Sequence, residues 1–177
     1  KYEQYFAHLE ANGFELETSS FIDLYFWEVV YKPGFLFRKI TGTIRGYIRR
    51  FFDLFRLHQY DIIYIHLWAT PLGPPFFEWM IRKLSKKIVY DIDDMIYKSE
   101  GSAMNNLVHL LKGKDKPVAL MKYADHVITC TPDLNDFARQ YCTHCTDISS
   151  TLDTERMFPV NTYTNDKPLV IGWTGTH

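Results

Sequence analysis

The chain has 177 residues, of which 46% are hydrophobic and 16% aromatic. This is about the length of one domain, with enough apolar content for one packed core. The formal net charge is −1, so no overall positive field favours nucleic acid as a partner. No apolar run reaches the roughly 18 residues of a membrane-spanning helix. Three cysteines, an odd number, argue against a disulfide framework.

The first third of the chain is predicted to be mainly helical. An amphipathic helix opens the chain and ends at Asn12 and Gly13, where glycine supplies a left-handed stop. Residues 14–20 then alternate in a manner that predicts a strand. A long helix is predicted over residues 35–57. One side of that helix is an apolar stripe made of Ile40, Ile44, Tyr47, Ile48, Phe51 and Phe55.

A second side of the long helix is basic, and its role is open between two interpretations. Its arginines are Arg38, Arg45, Arg49 and Arg56. In the first interpretation the apolar stripe packs on a sheet and the basic side faces solvent. In the second the helix also rests on an anionic lipid surface, which these arginines contact.

From residue 61 onward, short apolar strands alternate with helices. The predicted strands are residues 61–66, 87–92 and 126–130. The predicted helices are residues 74–86, 117–124 and 131–141, the last with Thr131 as its cap and Pro132 at its first position. This alternation predicts an α/β fold with a Rossmann-like, doubly wound parallel sheet. Such a sheet has helices on both faces and ligands at the carboxyl ends of its strands.

Three aspartates, Asp91, Asp93 and Asp94, cluster at the end of the predicted strand 87–92. The stretch VYDIDDMIY resembles the D-x-D-x-T motif of haloacid-dehalogenase-type phosphotransferases. That resemblance implies Asp91 as nucleophile, Asp93 as general acid and Mg²⁺ between them. A phospho-receiver domain also has acids at strand ends, but it takes them from separate strands. In a purely structural interpretation, Asp93 or Asp94 caps the segment that follows.

A longer resemblance runs through the second half of the chain. YADHVITCTPDLNDFARQY, ISSTLDTERMFPVN and KPLVIGWTGTH are similar, in order and spacing, to bacterial family 4 (group 1) glycosyltransferases with the GT-B fold. The residues at the motif positions of that family are Asp125, Leu134, Ala138, Arg139, Asp153, Thr154, Phe158, Pro159, Gly172 and Gly175.

This resemblance implies a domain organisation. Residues 1–151 would be the N-terminal acceptor-side domain without its first strand, residues 152–167 an interdomain linker, and residues 168–177 the first strand and turn of a donor domain. The implied reaction is retaining transfer from a nucleotide-sugar donor to a glycan or glycolipid acceptor in cell-surface polysaccharide or glycolipid assembly, without a metal or other cofactor. With only the start of a donor domain present, we expect these residues alone to be inactive.

The resemblance also implies a site in the cleft. Asp93, with Asp94 beside it, lies where many relatives carry a histidine near the reacting sugar, so these two are the candidate catalytic residues. We expect them to bind and orient the acceptor hydroxyl more than to remove its proton. The candidate substrate-binding residues are His66, Thr131, Gly172, Thr174, Gly175 and Thr176. The last four form a glycine turn whose amides and hydroxyls suit a phosphate.

The expected location is cytoplasmic, with peripheral attachment to the inner face of the cell membrane if the basic helix contacts lipid. A non-enzymatic alternative is a Rossmann-like sugar-binding domain that has lost catalysis. Neither the sugar nor the acceptor can be identified from these residues.

Overall fold

The computed structural model describes residues 3–94, 113 and 115–149. After a 3-10 turn at Glu3–Tyr5, the described helices are α1 (Phe6–Ala11), α2 (Leu24–Val30), α3 (Leu36–Leu54), α4 (Phe76–Leu84), α5 (Lys116–Tyr123) and α6 (Pro132–Ala138). The described strands are β1 (Ile63–His66), β2 (Ile88–Ile92), β3 (His126–Thr129) and β4 (Cys145–Asp147). The predicted linker 152–167 and donor-domain start 168–177 lie outside the described residues.

The four strands form one parallel sheet in the order β1-β2-β3-β4. Ile65 lies opposite Tyr90, and Tyr90 lies opposite Val127 on its other side. The predicted α/β class, with a parallel sheet built from alternating strands and helices, is therefore confirmed. The three predicted strands and the helices between them occur close to their expected positions.

The core lies against one face of this sheet. Its strand side chains occupy alternate positions, as expected where one face of a sheet is buried. They pack with apolar side chains from the helices, and the fully buried members include Ile88, Tyr90, Ile92, Leu120, Met121, Val127 and Ala138. Each strand adds on the same side of the previous one, so right-handed crossovers place α4, α5 and α6 on the same face. Helices on both faces, and a GT-B half, therefore remain predictions.

Residues 14–20 do not form the predicted strand. They run as an exposed, irregular segment beside α3, whose side chains bond to them. Arg49 Nη1 donates to Ser20 O at 2.5 Å, and Arg50 Nη2 donates to Ser19 O at 3.1 Å. The prediction was wrong because no strand of the described sheet lies beside these residues; arginines of α3 bond two of their carbonyls, and the rest of the segment is exposed to solvent.

The faces of α3 are not arranged as the sheet-packing interpretation predicted. Gly42 and Gly46 form the inner side, where Phe26 and Phe21 lie so close that an added Cβ would come within 2.6 to 2.7 Å of them. The apolar stripe is turned outward instead, except for Tyr47, whose ring packs against Phe21 and Phe77. Because α2 and the segment before it occupy the glycine side, the arginines meet the carboxylates of that segment and are not simply solvated.

Within the described ranges, no helix combines the length and the apolar character that crossing a bilayer requires.

Candidate functional site

The carboxyl ends of the strands bring several predicted site residues to one edge of the sheet. β1 ends at His66, β2 ends just before Asp93, and β3 ends just before Cys130 and Thr131. Because the strands are parallel, these side chains gather at the same edge, where ligands of open α/β sheets bind. We call this group the strand-end cluster.

His66 and Asp93 bring an imidazole and a carboxylate together in the strand-end cluster. His66 Nε2 lies 4.0 Å from Asp93 Oδ1, and 29% and 27% of the two side chains are exposed. The backbone at Asp93 is also fixed, because Cys130 Sγ donates a hydrogen bond to Asp93 O at 2.8 Å. A partly exposed imidazole next to a carboxylate can donate to, and accept from, hydroxyl groups of a bound molecule.

The three clustered aspartates have three different surroundings. Asp91 is 4% exposed and lies opposite His66 in the register, where its carboxylate accepts a hydrogen bond from the Tyr64 hydroxyl. Asp93 is half-buried at the sheet edge, and Asp94 is exposed in a bend just after it. Of the two candidate catalytic residues, Asp93 is thus the one that the fold places beside another polar side chain, His66.

Thr131 acts as the cap of α6. Its hydroxyl oxygen accepts a hydrogen bond from Leu134 N–H at 3.3 Å, and its backbone is extended. The predicted capping role is confirmed. Substrate binding by Thr131 remains a prediction. The capping bond is compatible with it, since that bond uses the oxygen as acceptor and leaves the hydroxyl hydrogen available to donate.

The loop that leaves β1 starts with a left-handed residue. Leu67 has φ of 57°, a conformation that costs a residue other than glycine about 1–3 kcal/mol. It is held on both sides: Leu67 N–H donates to Asp91 O at 3.0 Å, and the Tyr90 hydroxyl donates to Leu67 O at 3.0 Å. These bonds turn the chain directly after His66 and thereby set where the imidazole lies. Burial raises the pKa of Tyr90, and the charge of Asp91 adds to that effect, so this donor stays protonated.

A buried ion pair stabilises the loop that follows β1. Lys116 and Glu78 have fully buried side chains, and Lys116 Nζ lies 3.4 Å from Glu78 Oε1. Lys116 Nζ also donates to Thr70 O and to Leu72 O, each at 2.9 Å, and to the Thr70 hydroxyl. Burial lowers the pKa of Lys116, while Glu78 acts in the opposite direction.

This pair was missed by the sequence reasoning. A signal was available for Glu78, since it lies three residues before Ile81 and so shares the buried side of α4. Lys116 gave no comparable signal, because its position at the start of α5 is one where lysine is normally exposed. We name Thr70, Glu78 and Lys116 the loop anchor.

A wide cavity of about 890 Å³ lies elsewhere, between the segment 17–27 and α3. Arg49, Asp53 and Arg56 line its helix side. It shares no residue with the strand-end cluster, and its charged groups are already joined, Arg56 with Glu17 at 2.8 Å and Arg49 with Asp23 at 3.6 Å. The charged groups that line this cavity are thus paired with one another.

Four predicted donor-binding residues, Gly172, Thr174, Gly175 and Thr176, lie outside the described residues. Among the residues that are described, no three His, Cys, Asp or Glu side chains converge as a metal site would require. No protein-family model matches the chain, and neither a curated protein nor a solved structure matches it.

Proposed function

We propose that this chain is the acceptor-side, Rossmann-like domain of a retaining, nucleotide-sugar-dependent glycosyltransferase of the GT-B type, acting in cell-surface polysaccharide or glycolipid assembly. The observation that supports it best is the 4.0 Å approach of His66 Nε2 to Asp93 Oδ1 at the carboxyl edge of a parallel sheet. Ligands of such sheets bind at that edge, and a carboxylate with an imidazole suits a molecule rich in hydroxyls.

In this proposal Asp93 accepts a hydrogen bond from the acceptor hydroxyl and orients its oxygen toward the donor. His66 holds a neighbouring hydroxyl, and Asp94 lies at the open side of the cleft. The nucleotide-sugar would meet the glycine turn of residues 172–176, so that neither a metal nor a separate cofactor takes part. The left-handed turn at Leu67 and the loop anchor keep the imidazole in position.

The test is acceptor binding, measured by saturation-transfer NMR with a panel of oligosaccharides and glycolipid headgroups. A hydrogen bond to a charged group contributes about 1.5–3 kcal/mol, so Asp93→Asn should weaken binding about tenfold or more. Asp61→Asn is the matched control, because Asp61 precedes β1 and therefore lies at the opposite, amino end of the strands. Equal binding by both variants contradicts the proposed site.

The same panel should include UDP-sugars and GDP-sugars. We expect no micromolar binding of these donors by residues 1–177, and such binding would contradict the placement of the donor site. Saccharide binding that depends on Asp93, in a protein whose longer forms show no transfer, would favour the non-catalytic sugar-binding alternative.

The haloacid-dehalogenase-like phosphatase is the second candidate, because Asp91 and Asp93 are two residues apart at the end of one strand. The position of Asp91 does not favour a role as nucleophile, since its side chain is buried and accepts a hydrogen bond from the Tyr64 hydroxyl. Mg²⁺-dependent hydrolysis of p-nitrophenyl phosphate that is abolished by Asp91→Asn would replace the glycosyltransferase proposal with this one.

A further inference from the structure

The outward side of α3 is an unbroken apolar stripe. Its exposed fractions are 79% for Phe37, 48% for Ile40, 54% for Ile44, 51% for Ile48, 51% for Phe51 and 63% for Phe55. At about 200 Å² per aromatic side chain, the three phenylalanines alone leave about 400 Å² exposed. That already equals the largest apolar patch of a typical monomer, about 300–600 Å², and the isoleucines extend it. We call these six residues the α3 stripe.

An apolar groove continues the α3 stripe toward α4. It has a volume of about 360 Å³ and is lined by Phe51, Leu54, Phe55, His58, Met80 and Leu84. Only His58 among these carries a titratable side chain. The groove and the α3 stripe share Phe51 and Phe55, so they form one continuous apolar surface.

Arginines lie along one border of the α3 stripe. At about 100° per residue, Arg45, Arg49 and Arg38 fall on the adjacent side of the helix. Arg45 and Arg49 lie 3.3 and 3.6 Å from Asp23. Arg38 lies 3.4 Å from Glu28, and its guanidinium lies 3.8 Å from the centre of the Tyr25 ring. These contacts hold the arginine side chains beside the α3 stripe, so that they do not cover its apolar side chains.

The charge of this region is positive although that of the whole chain is −1. Residues 17–56 contain seven lysines and arginines against four carboxylates. The single acid of α3, Asp53, lies on the side away from the α3 stripe, where Arg50 Nη1 bonds it at 3.0 Å. Because the acids offset only part of this positive charge, a partner that combines an apolar layer with negative charge at its border fits this surface.

We propose that α3 lies flat on an anionic lipid bilayer. The α3 stripe enters the boundary between headgroups and acyl chains, the bordering arginines lie at headgroup level, and the groove beside α4 accepts an acyl segment. A single convex helix with a wide apolar stripe and an arginine border matches the arrangement of interfacial helices. This extends the sequence expectation of an anionic lipid contact, because the α3 stripe now enters the bilayer beside the arginines, and the argument does not depend on the proposed function.

The experiment is co-sedimentation of the full chain with vesicles of phosphatidylcholine, with or without a quarter of phosphatidylglycerol. We expect binding to the anionic vesicles that weakens with salt yet persists in part at about 1 M, where charge is screened within about 3 Å. Ile44→Ser with Ile48→Ser should reduce partitioning about tenfold or more, because each change removes apolar area from the bilayer. Ile62→Ser is the matched control, since Ile62 is 49% exposed and outside α3 and α4.

A second readout follows the helix itself. In the Ile44→Trp variant, adding vesicles should shift the fluorescence of the new tryptophan to the blue, and brominated phosphatidylcholine should quench it. The tryptophan of the Ile62→Trp variant should show neither effect. Circular dichroism checks that each variant keeps its helix content, which we expect because the substituted positions are exposed.

Three results would overturn the proposal. The first is undiminished vesicle binding by the double serine variant. The second is equal binding to neutral and anionic vesicles, which would remove the role of the arginine border. The third is a dimer in sedimentation velocity that the double variant abolishes, in a chain that binds no vesicles, because the α3 stripe would then be an interface between two copies.

Discussion

The ammonium of Lys116 lies 3.4 Å from the carboxylate of Glu78, with both side chains wholly inside the protein. Removing one member of a buried pair leaves the other charge uncompensated, at a cost of about 3–5 kcal/mol. We therefore expect Lys116→Met to lower the free energy of unfolding by about that amount in urea denaturation. Lys122→Met, on the exposed side of the same helix, should change it by no more than about 1 kcal/mol, because Lys122 only places its Nζ 5.5 Å from the Tyr141 ring.

A double variant, Lys116→Met with Glu78→Leu, separates charge from packing. Replacing both members by apolar side chains of similar volume is often neutral or stabilising. Recovery of most of the lost stability is expected. If the double variant is as unstable as Lys116→Met, the hydrogen bonds from Lys116 Nζ to Thr70 O and Leu72 O matter more than the ion pair.

Asp125 joins the amino end of β2 to the end of α5. Its Oδ2 accepts hydrogen bonds from Ile88 N–H and from Arg82 Nη1, each at 2.8 Å. Burial alone raises the pKa of Asp125, but the bonds from Ile88 and Arg82 and the charge of Arg82 outweigh burial and lower it. A lowered pKa means that the folded state binds fewer protons, so the stabilisation is present above about pH 3.8 and lost as the pH falls further.

Asp125→Asn should therefore lower the free energy of unfolding at pH 7 by about 1–2 kcal/mol, a value reduced from that of fully buried bonds because the side chain is partly exposed. The difference from the natural chain should shrink as the pH falls below about 3.8. Asp136→Asn, at an exposed position of α6, is the control. A difference that does not change with pH would show that the carboxylate charge is not what Asp125 contributes.

The raised pKa of Tyr90 predicts a loss of stability at alkaline pH. The folded state keeps the phenol proton while the unfolded chain releases it near pH 10, so stability is full below pH 10 and falls above it. The slope from one such group is at most about 1.4 kcal/mol per pH unit. We expect Tyr90→Phe to be less stable at pH 7, by about 1–2 kcal/mol, because Leu67 O loses its donor.

Above pH 10 the Tyr90→Phe variant should lose stability less steeply than the natural chain, and the difference between the two isolates this phenol. Tyr31→Phe is the control, since Tyr31 is 80% exposed. Parallel alkaline slopes for the natural chain and Tyr90→Phe would contradict the assignment.

Gly46 permits the close contact between α3 and the segment before α2. An added Cβ would come within 2.7 Å of Phe21 O, which is backbone and cannot swing aside. Although alanine favours a helix over glycine by about 1 kcal/mol, overpacking costs about 1–3 kcal/mol, so Gly46→Ala should lower the melting temperature. Ile44→Ala, at an exposed position of the same helix, should leave it nearly unchanged. A stabilised Gly46→Ala variant would contradict this packing.

The alternation of strands and helices could be predicted because local signals agreed with one another. Apart from Asp91, β2 is a run of β-branched and apolar residues, and α6 begins with a threonine cap and a proline. His66 and Asp93 could be placed at one edge because parallel strands share their carboxyl end. Their separation could not, since it depends on the sheet register and on the left-handed turn at Leu67.

Two other features escaped sequence reasoning for physical reasons. The pattern of residues 14–20 matches an amphipathic strand, but pairing requires a neighbouring strand, and the described sheet offers none beside this segment. The orientation of α3 was decided by two glycines, whose lack of a side chain made their face the closest packing surface. Apolar periodicity alone predicted the opposite orientation.

The layer formed by α2 and α3 meets the rest of the protein through few side chains. Of the buried apolar residues between 3 and 57, Leu54 and Leu57 belong to the core that packs against the sheet. Phe26 and Val29 are buried outside that core. This layer can consequently open in native-state hydrogen exchange at a lower free energy than the sheet. A bilayer that held α3 would slow the exchange of the α2 and α3 amides, while those of β2 and β3 would exchange only on complete unfolding, as before.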